Sequence, residues 1–202
     1  MPFGYLGTTP NQKVKNSGVF SVSEALQLQK DGELGGSLQL ISTTTFSSSS
    51  AVNITEGFEG YDVFFAQING LTGSGNMNIS MQFYESGVLE TASVYQYAQE
   101  YMQVDGGRGE EQSTGATKLF MNSFQSTDSF GMYIYFYNFR NSSKYSFYTF
   151  QSTPSYVADF ETKFGGGVLT QTSVVDGVKF FPNTGTMSGT IKLFGLKELW
   201  AT

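Results

Sequence analysis

From residue 37 onward, apolar and polar side chains alternate with a period of two, which is the pattern of strands that bury one face. The segment NMNISMQFYESG alternates most clearly, and its apolar face carries Met77, Ile79, Met81 and Phe83. Turn residues (Gly, Ser and Asn) separate segments of this kind, so the pattern predicts roughly nine or ten strands in a sandwich or barrel. The predicted strands lie at 37–46, 51–55, 61–70, 76–87, 93–102, 129–139, 144–152, 168–172, 178–182 and 189–196.

Four segments of the chain fit this pattern poorly. The segment VDGGRGEEQSTG at 104–115 is polar and rich in glycine, which predicts a long exposed loop. Residues 153–167 are predicted to be irregular. The segment KFGGGVL at 163–169 is predicted to form a turn, because it lacks the ending of a phosphate-binding loop. The segment at 93–102 fits either a strand or a short helix.

Residues 1–36 differ from the rest of the chain and are predicted to form an anchoring arm. Their first part is rich in Gly, Pro, Asn and Gln, yet it carries several apolar side chains. A capping box formed by Ser21 and Glu24 predicts a short helix at about 22–31. The arm either packs back on its own domain or docks on a partner. The apolar residues available for docking are Phe3, Tyr5, Leu6, Val14, Val19 and Phe20.

The last predicted strand, GTIKLFGL at 189–196, is a strong one, and it forms a hairpin with the strand at 178–182. Gly189 and Gly195 allow a bulge or a close backbone approach at each end of this strand. A strong late strand of a sandwich inserts beside early strands and so closes two open sheet edges. We therefore expect it to pair with strands from the start of the domain.

The segment at 130–150 contains ten aromatic residues, and its first strand has two apolar faces. A half-buried strand needs only one apolar face, so the second face requires an explanation. Three hypotheses remain open: cover within the monomer, an interface between subunits, or a platform on which sugars stack. The residues concerned are Tyr133, Tyr135, Tyr137, Phe139 and Tyr148.

Composition agrees with an all-β domain and excludes several kinds of chemistry. Aromatic residues make up 16% of the chain and charged residues 14%, and the net charge is −6. This negative charge argues against binding to nucleic acids or to an anionic membrane. The chain has no Cys and no His, which removes disulfides, thiolate nucleophiles, the usual zinc sites and His-based catalytic relays. We expect no cofactor and no enzymatic activity.

Carboxylates are the remaining candidates for chemistry. Asp105, Glu110 and Glu111 lie in the predicted loop, where they either bind Ca²⁺ or remain solvated, and their spacing is not that of an EF-hand. A pair of carboxylates brought together by folding would be able to hydrolyse glycosides without His. No recurring arrangement of acids on a predicted strand face marks such a pair.

No stretch of the chain approaches 18 consecutive apolar residues, so no membrane-spanning helix is predicted. The first residues, MPFGYLGTTPNQKVKNSG, lack the charged and apolar regions of a signal peptide. A protein of this kind that acts outside a cell would need another way out, of which lysis is one.

The C-terminal segment reads VDGVKFF at 175–181 and GTMSGTIKLFGLK at 185–197. It resembles a β-domain carried by many bacteriophage virion proteins. These are tail-fibre or virion structural proteins, notably of phages that infect marine bacteria. The segment GFEGYDVFFAQING at 57–70 is similar to an early strand of such domains, and residues 11–42 resemble a leader of some cyanophage structural proteins. The resemblance covers about half of the chain and brings no catalytic residues. The C-terminal residues that match are Val175, Gly177, Val178, Lys179, Phe180, Phe181 and 185–197.

Together these observations predict a jelly-roll-like antiparallel β-sandwich over 37–202, preceded by the arm at 1–36. The resemblance implies a structural protein of the virion surface, assembled in the host cytoplasm and released by lysis. A capsid decoration protein and a short tail fibre both fit, as a homotrimer that contacts other virion proteins. The alternatives are a receptor-binding module that binds host glycans through its tyrosines and a His-free glycan depolymerase.

Overall fold

The structure of the protein is a computed structural model that describes residues 21–23, 26–27, 38–124, 129–154 and 160–196. Thirteen strands run through the described residues, which confirms the predicted all-β class. The strands are β1 (Leu38–Ser49), β2 (Val52–Ile54), β3 (Val63–Gly73), β4 (Met77–Glu85), β5 (Val88–Leu89), β6 (Tyr95–Gln103), β7 (Arg108–Ala116), β8 (Leu119–Phe124), β9 (Phe130–Tyr137), β10 (Tyr145–Pro154), β11 (Glu161–Thr172), β12 (Val175–Pro182) and β13 (Met187–Leu196).

These strands pair antiparallel and form two sheets. The large sheet has eight strands in the order β1-β13-β3-β9-β10-β11-β6-β7. The small sheet has five strands, in the order β2-β12-β4-β5, and β8 pairs with β4 on the same edge as β5. Because the chain crosses repeatedly from one sheet to the other, the two sheets form a single sandwich.

Eight of the strands follow the order of a jelly roll. Numbered along the chain, β1, β2, β3, β4, β5, β9, β12 and β13 are arranged as 1-8-3-6 in one sheet and 2-7-4-5 in the other. The large sheet then continues past β9 through β10, β11, β6 and β7. The predicted jelly-roll-like sandwich is therefore confirmed, and one of its sheets is extended by four strands.

The core lies between the two sheets and consists of the inward side chains of alternating positions. Phe64 and Phe136 of the large sheet and Phe83 of the small sheet are fully buried. The rings of Phe83 and Phe136 meet edge to face with their centroids 6.3 Å apart. Burial of each such ring contributes on the order of 2–3 kcal/mol. Because one face of each strand is buried in this core, the opposite face points outward and is available for binding.

β13 pairs with both β1 and β3, as expected of the strand that closes the sandwich. Its pairing with β3 shifts register between Ser188 and Thr190, so Gly189 lies in an irregularity of the β-bulge kind. At the other end of the strand, the ring of Tyr61 packs so closely on Gly195 that a Cβ atom there would collide with it. Both glycines have the roles predicted from the sequence.

The prediction of a long exposed loop at 104–115 is wrong. β7 occupies most of it and pairs with β6 along its length. What remains is a tight turn, in which Gly106 has a φ of 94° and Gly107 N donates a hydrogen bond of 2.8 Å to Asp105 Oδ1. The strand was missed because β7 is an edge strand with polar side chains on both faces, so its sequence shows no apolar alternation.

The predictions of an irregular segment at 153–167 and of a turn at 163–169 are also wrong for the residues that the structure describes, which are 153–154 and 160–169. β10 continues to Pro154, and β11 begins at Glu161 and lies between β10 and β6. A Cβ atom on Gly165 would lie 2.5 Å from Ala98 O, so the glycine run belongs to a strand whose neighbours leave no room for side chains. Glycine marks turns more often than close packing, which explains the error.

Only part of the predicted helix at 22–31 is described, and its described residues, 22–23 and 26–27, are helical. Glu24 lies outside the described residues, so the capping box stays a prediction. The segment at 93–102 forms a strand, and two further strands, β5 and β8, were not predicted. Docking through the arm also stays a prediction, because its apolar residues lie outside the described residues: Phe3, Tyr5, Leu6, Val14, Val19 and Phe20.

Candidate functional site

The outer face of the large sheet carries aromatic side chains at its centre. Along β9, buried residues alternate with Tyr133, Tyr135 and Tyr137, which point away from the core. The antiparallel register places Phe65 of β3 and Phe147 of β10 beside these tyrosines, and Phe194 of β13 beside Phe65. We call this surface the outer aromatic patch, and it consists of Phe65, Tyr133, Tyr135, Tyr137, Phe147 and Phe194.

The rings of the outer aromatic patch form a continuous row across three strands. The centroid of Phe65 on β3 lies 5.7 Å from that of Phe194 on β13 and 4.9 Å from that of Tyr135 on β9. Tyr135 stacks on Tyr137 at 6.4 Å, with 21° between the ring planes. Aromatic pairs at such separations are worth about 0.5–1.5 kcal/mol beyond the area they bury. The rings therefore support one another as a continuous surface.

Cross-strand neighbours hold two tyrosine hydroxyls of the patch. Tyr133 OH donates a hydrogen bond of 2.7 Å to Gln151 Oε1, and Tyr137 OH lies 3.3 Å from Thr149 Oγ1. Tyr133 nevertheless has 40% of its surface exposed, and Phe147 has 42%. Among the described residues no strand covers this face, so cover by another strand of the sandwich does not account for its apolar character.

Phe139 and Tyr148, which were predicted to share this face, lie in the core instead. β9 ends at Tyr137, and Asn138 then adopts a positive φ of 61°, which breaks the alternation and leaves Phe139 pointing inward. The ring of Phe139 lies 5.1 Å from that of Phe83. Tyr148 is buried on the inward face of β10, and this burial raises its pKa. The sequence shows neither the end of β9 nor the face of β10 that the core takes.

The acidic residues of the β6–β7 hairpin do not assemble a calcium site. Asp105 closes the turn, whereas Glu110 and Glu111 are consecutive on β7 and so project to opposite sides of the strand. In the described part of the chain, no group of three or more His, Cys, Asp or Glu side chains is placed to hold a metal ion. The calcium hypothesis therefore gains no support from the fold.

Among the described residues, folding brings two carboxylates to opposed positions on neighbouring strands. Glu100 of β6 and Glu110 of β7 are direct cross-strand partners, and both border a cavity of about 270 Å³ beside Phe164. Both side chains are exposed, and like charges at opposed positions weaken a strand pair. These residues are a candidate pair for the glycan-cleavage hypothesis, and the sequence did not mark them because they lie on different strands.

A buried charged cluster links β6, β7 and β11. Lys163 is 3% exposed, and its Nζ lies 3.0 Å from Glu111 Oε2. The same oxygen accepts a hydrogen bond of 2.6 Å from Gln99 Nε2. The ammonium also lies 4.8 Å from the ring centre of Phe120 and 5.4 Å from that of Tyr101. A carboxylate and two aromatic rings therefore compensate for the desolvation of this lysine.

Glu161 belongs to the same buried region and lies two residues before Lys163 on β11. Its Oε2 accepts a hydrogen bond of 3.1 Å from Gln103 Nε2. Burial raises the pKa of the Glu161 carboxyl, although the positive charge of Lys163 and the bond from Gln103 oppose this effect. The sequence did not reveal these buried charges, because its pattern predicted no strand at 161–167. One signal in the sequence could have indicated it. Glu161 and Lys163 are an even number of residues away from the core residue Leu169, so in a strand all three side chains lie on the same face.

A cleft of about 560 Å³ lies beside the charged cluster, between the β6–β7 hairpin and the small sheet. Tyr97 borders it, and burial together with the negative charge of Glu111 raises the pKa of Tyr97. Ser80 also borders the cleft, fully buried, and its Oγ has no hydrogen-bond partner within the described structure. The residues that line the cleft include Asn78, Ser80, Tyr97, Glu111, Gln112, Lys118 and Phe120.

Comparisons of the chain with protein-family models, with curated proteins and with solved structures found no match in any of the three. The resemblance to phage virion proteins therefore stays a prediction, and arguments about function rest on the fold and its surfaces. None of the helical residues that the structure describes belongs to a helix long and apolar enough to cross a membrane.

Proposed function

We propose that this chain is a non-enzymatic structural protein of a bacteriophage particle surface, and that its copies associate through the outer aromatic patch. The observation that carries the proposal is a set of aromatic side chains at the centre of an eight-stranded sheet, uncovered by any described strand. Contiguous apolar patches on the surface of a domain mark interaction sites, and Tyr and Phe are enriched where proteins meet.

The dimensions of the outer aromatic patch suit the centre of an interface. From β13 to β10, and from Tyr133 to Tyr137, it extends roughly 14 Å in each direction, given the usual strand spacing and rise per residue. That area of roughly 200 Å² is about a quarter of what each partner buries in a standard interface. A few aromatic side chains at the centre carry most of the binding energy of many interfaces, and polar neighbours form the rim. Gln67, Thr149 and Lys192 supply such a rim here.

The place on a virion is supported by two further points. The jelly roll is a common architecture of viral capsid domains and of lectins. The sequence resemblance to phage virion proteins supplies the particular context. In this proposal the arm at 1–36 docks on other virion proteins of the capsid or tail. The sandwich is then displayed as a homotrimer, with the patches of the three copies directed at the common axis.

The first experiment measures the mass of the full chain by light scattering coupled to size-exclusion chromatography. We expect the native chain to be a trimer and the double variant Phe65→Ser/Tyr135→Ser to be a monomer with an unchanged circular dichroism spectrum. Phe160→Ser is the matched control, because Phe160 is an exposed aromatic residue beside the β6–β7 turn, and this variant should remain a trimer. A monomeric native chain, or a double variant that remains trimeric, would contradict association through the patch.

The second experiment tests the location. Antibodies against the chain are used for immunogold labelling of purified particles of the virus that carries its gene. We expect regularly spaced label on the particle surface. Label confined to host cells, with none on particles, would reject the structural role even if the chain proves to be a trimer.

One observation favours a second candidate function, which is binding to host glycans at the same face. Tyr135 and Tyr137 stack side by side on an exposed surface, and sugars bind to aromatic surfaces of this kind. In that case Tyr135→Ala and Tyr137→Ala would abolish adsorption of particles to the host while particle assembly and the trimer remained intact. The same variants would break up the trimer under the first proposal, so the two functions are separable.

A further inference from the structure

Ser80 of β4 is fully buried, and its hydroxyl has no hydrogen-bond partner within the described structure. An unpartnered buried hydroxyl lowers the stability of the free protein, and alanine in the same place would avoid that loss. The residue borders the cleft between the small sheet and the β6–β7 hairpin. A hydroxyl retained at such a position is expected where a ligand, rather than the protein, supplies its partner.

Glu111 is held in place at the same cleft without a ligand. Its Oε2 accepts hydrogen bonds from Gln99 Nε2 at 2.6 Å and from Lys163 Nζ at 3.0 Å. These bonds orient the carboxylate, and the lysine offsets its charge. Its Oε1 makes no hydrogen bond to any described residue and remains free to accept one. A preorganised acceptor of this kind improves affinity, because little order is lost on binding.

The other walls of the cleft combine aromatic surface with amide groups. Tyr97 comes from β6 and Phe120 from β8, and each is only partly buried. Asn78 and Gln112 place two side-chain amides at the cleft, and each amide both donates and accepts hydrogen bonds. A ligand that is complementary to both the aromatic surface and the amide groups has an apolar face and several hydroxyl groups around its edge.

The charges around the cleft select against ionic ligands. Lys163 already lies 4.8 Å from the ring centre of Phe120, so a cationic ligand would be repelled from that ring. Lys118 itself borders the cleft, and its positive charge would also repel a cationic ligand. An anionic ligand would meet the carboxylate of Glu111, which borders the cleft. An uncharged ligand avoids both penalties.

We propose that this cleft binds a neutral saccharide unit, whose hydroxyls bond to Ser80 and Glu111 and whose ring stacks on an aromatic wall. The volume of about 560 Å³ lies within the range of about 300–1,000 Å³ that is usual for small-molecule sites. The inference goes beyond the proposed function, because the cleft shares no residue with the outer aromatic patch and does not require self-association.

The test begins with the full chain on a printed array of neutral and acidic oligosaccharides. Titration calorimetry with the strongest neutral binder then gives its Kd. We expect neutral oligosaccharides to bind and those carrying uronic or sialic acids to bind weakly or not at all. An array with no neutral binder, or with acidic binders only, would overturn the proposal.

Ser80→Ala is the informative variant. It should weaken saccharide binding about tenfold, the effect of a hydrogen bond lost from a buried site. Its melting temperature should stay the same or rise, because an unpartnered hydroxyl has been removed. Gln112→Ala should also weaken binding, and its exposed side chain puts folding at little risk. Ser47→Ala, which removes the hydroxyl of an exposed serine on β1, should change neither property.

Two outcomes of the variant series would overturn the proposal. One is an affinity that neither Ser80→Ala nor Gln112→Ala changes. The other is binding that Tyr135→Ala abolishes and Ser80→Ala spares, which would place the saccharide on the outer aromatic patch. Neither outcome affects the light-scattering test of self-association, so failure of this inference is distinguishable from failure of the proposed function.

Discussion

Two fully buried tyrosines differ in what surrounds their hydroxyls. Tyr95 OH accepts a hydrogen bond from Phe83 N and donates one to Glu90 O, each over 3.0 Å. Tyr148 OH is buried without a partner in the described part of the structure. The same chemical group therefore stabilises the fold at one residue and lowers its stability at the other, because a buried hydroxyl is favourable only when it is hydrogen-bonded.

At this residue scale we expect opposite results from removing the two hydroxyls. Tyr95→Phe leaves the N–H group of Phe83 unpaired and should lower the free energy of unfolding by about 1–3 kcal/mol. Tyr148→Phe should leave that free energy unchanged or raise it. Urea unfolding followed by circular dichroism measures both variants. A loss of more than about 1 kcal/mol in Tyr148→Phe would show that its hydroxyl has a partner in solution and that the prediction is wrong.

At the scale of single elements, the glycines of β11 and Gly115 of β7 differ in how closely other atoms pack against them. β11 lies between β10 and β6, and its glycine run is packed against the backbones of these neighbours. β7 is the edge of the large sheet, and no atom lies within 4 Å of the place where a Cβ on Gly115 would stand. The glycines of β11 therefore let the extension of the jelly roll pack closely, whereas Gly115 has no such function.

We therefore expect Gly165→Ala and Gly115→Ala to differ sharply. The added methyl of Gly165→Ala would lie 2.5 Å from Ala98 O, so a strand must move, at a cost of about 1–3 kcal/mol in the free energy of unfolding. Gly115→Ala is the matched control and should change it by less than about 1 kcal/mol, in the stabilising direction. Thermal and urea unfolding provide the measurement. Equal effects of the two substitutions would mean that β11 tolerates side chains at its centre.

At the scale of the whole molecule, stability should follow position in the sheets. β9 and β10 lie at the centre of the large sheet, have a partner on each side and contribute buried rings to the core. β5 has two residues, and β7 has a partner on one side only. Local opening is easiest where few contacts must break, so the periphery of the sandwich should open well before its centre.

Hydrogen–deuterium exchange with peptide mass spectrometry tests this gradient. Amides of peptides covering β9 and β10 should exchange slowest, and those covering β5 and β7 should exchange fastest. The variant Phe65→Ser/Tyr135→Ser, measured alongside, shows whether association alters the pattern. Protection of β7 equal to that of β9 in this variant would contradict the gradient and would indicate that something pairs with the edge strand.

The sequence by itself determined the class of the fold and the role of its last strand. Alternation with a period of two specifies strands, and segments such as 76–87 cannot bury their apolar face in any other regular structure. The strength of the segment at 189–196, with Gly189 and Gly195 at its ends, was enough to predict that it pairs with early strands. The edge strand β7 escaped prediction because it has no apolar face to reveal it.

Only the tertiary structure decided which of two apolar faces became the surface. In β9, Tyr135 and Phe136 belong to faces that look equally apolar in sequence, and the packing of the small sheet selects one of them for burial. The cleft was equally hidden, because Ser80, Glu111 and Phe120 come from three strands that only the fold brings together. Alternation is local and therefore readable from the chain, whereas these surfaces depend on register and sheet order, which form between residues far apart in sequence.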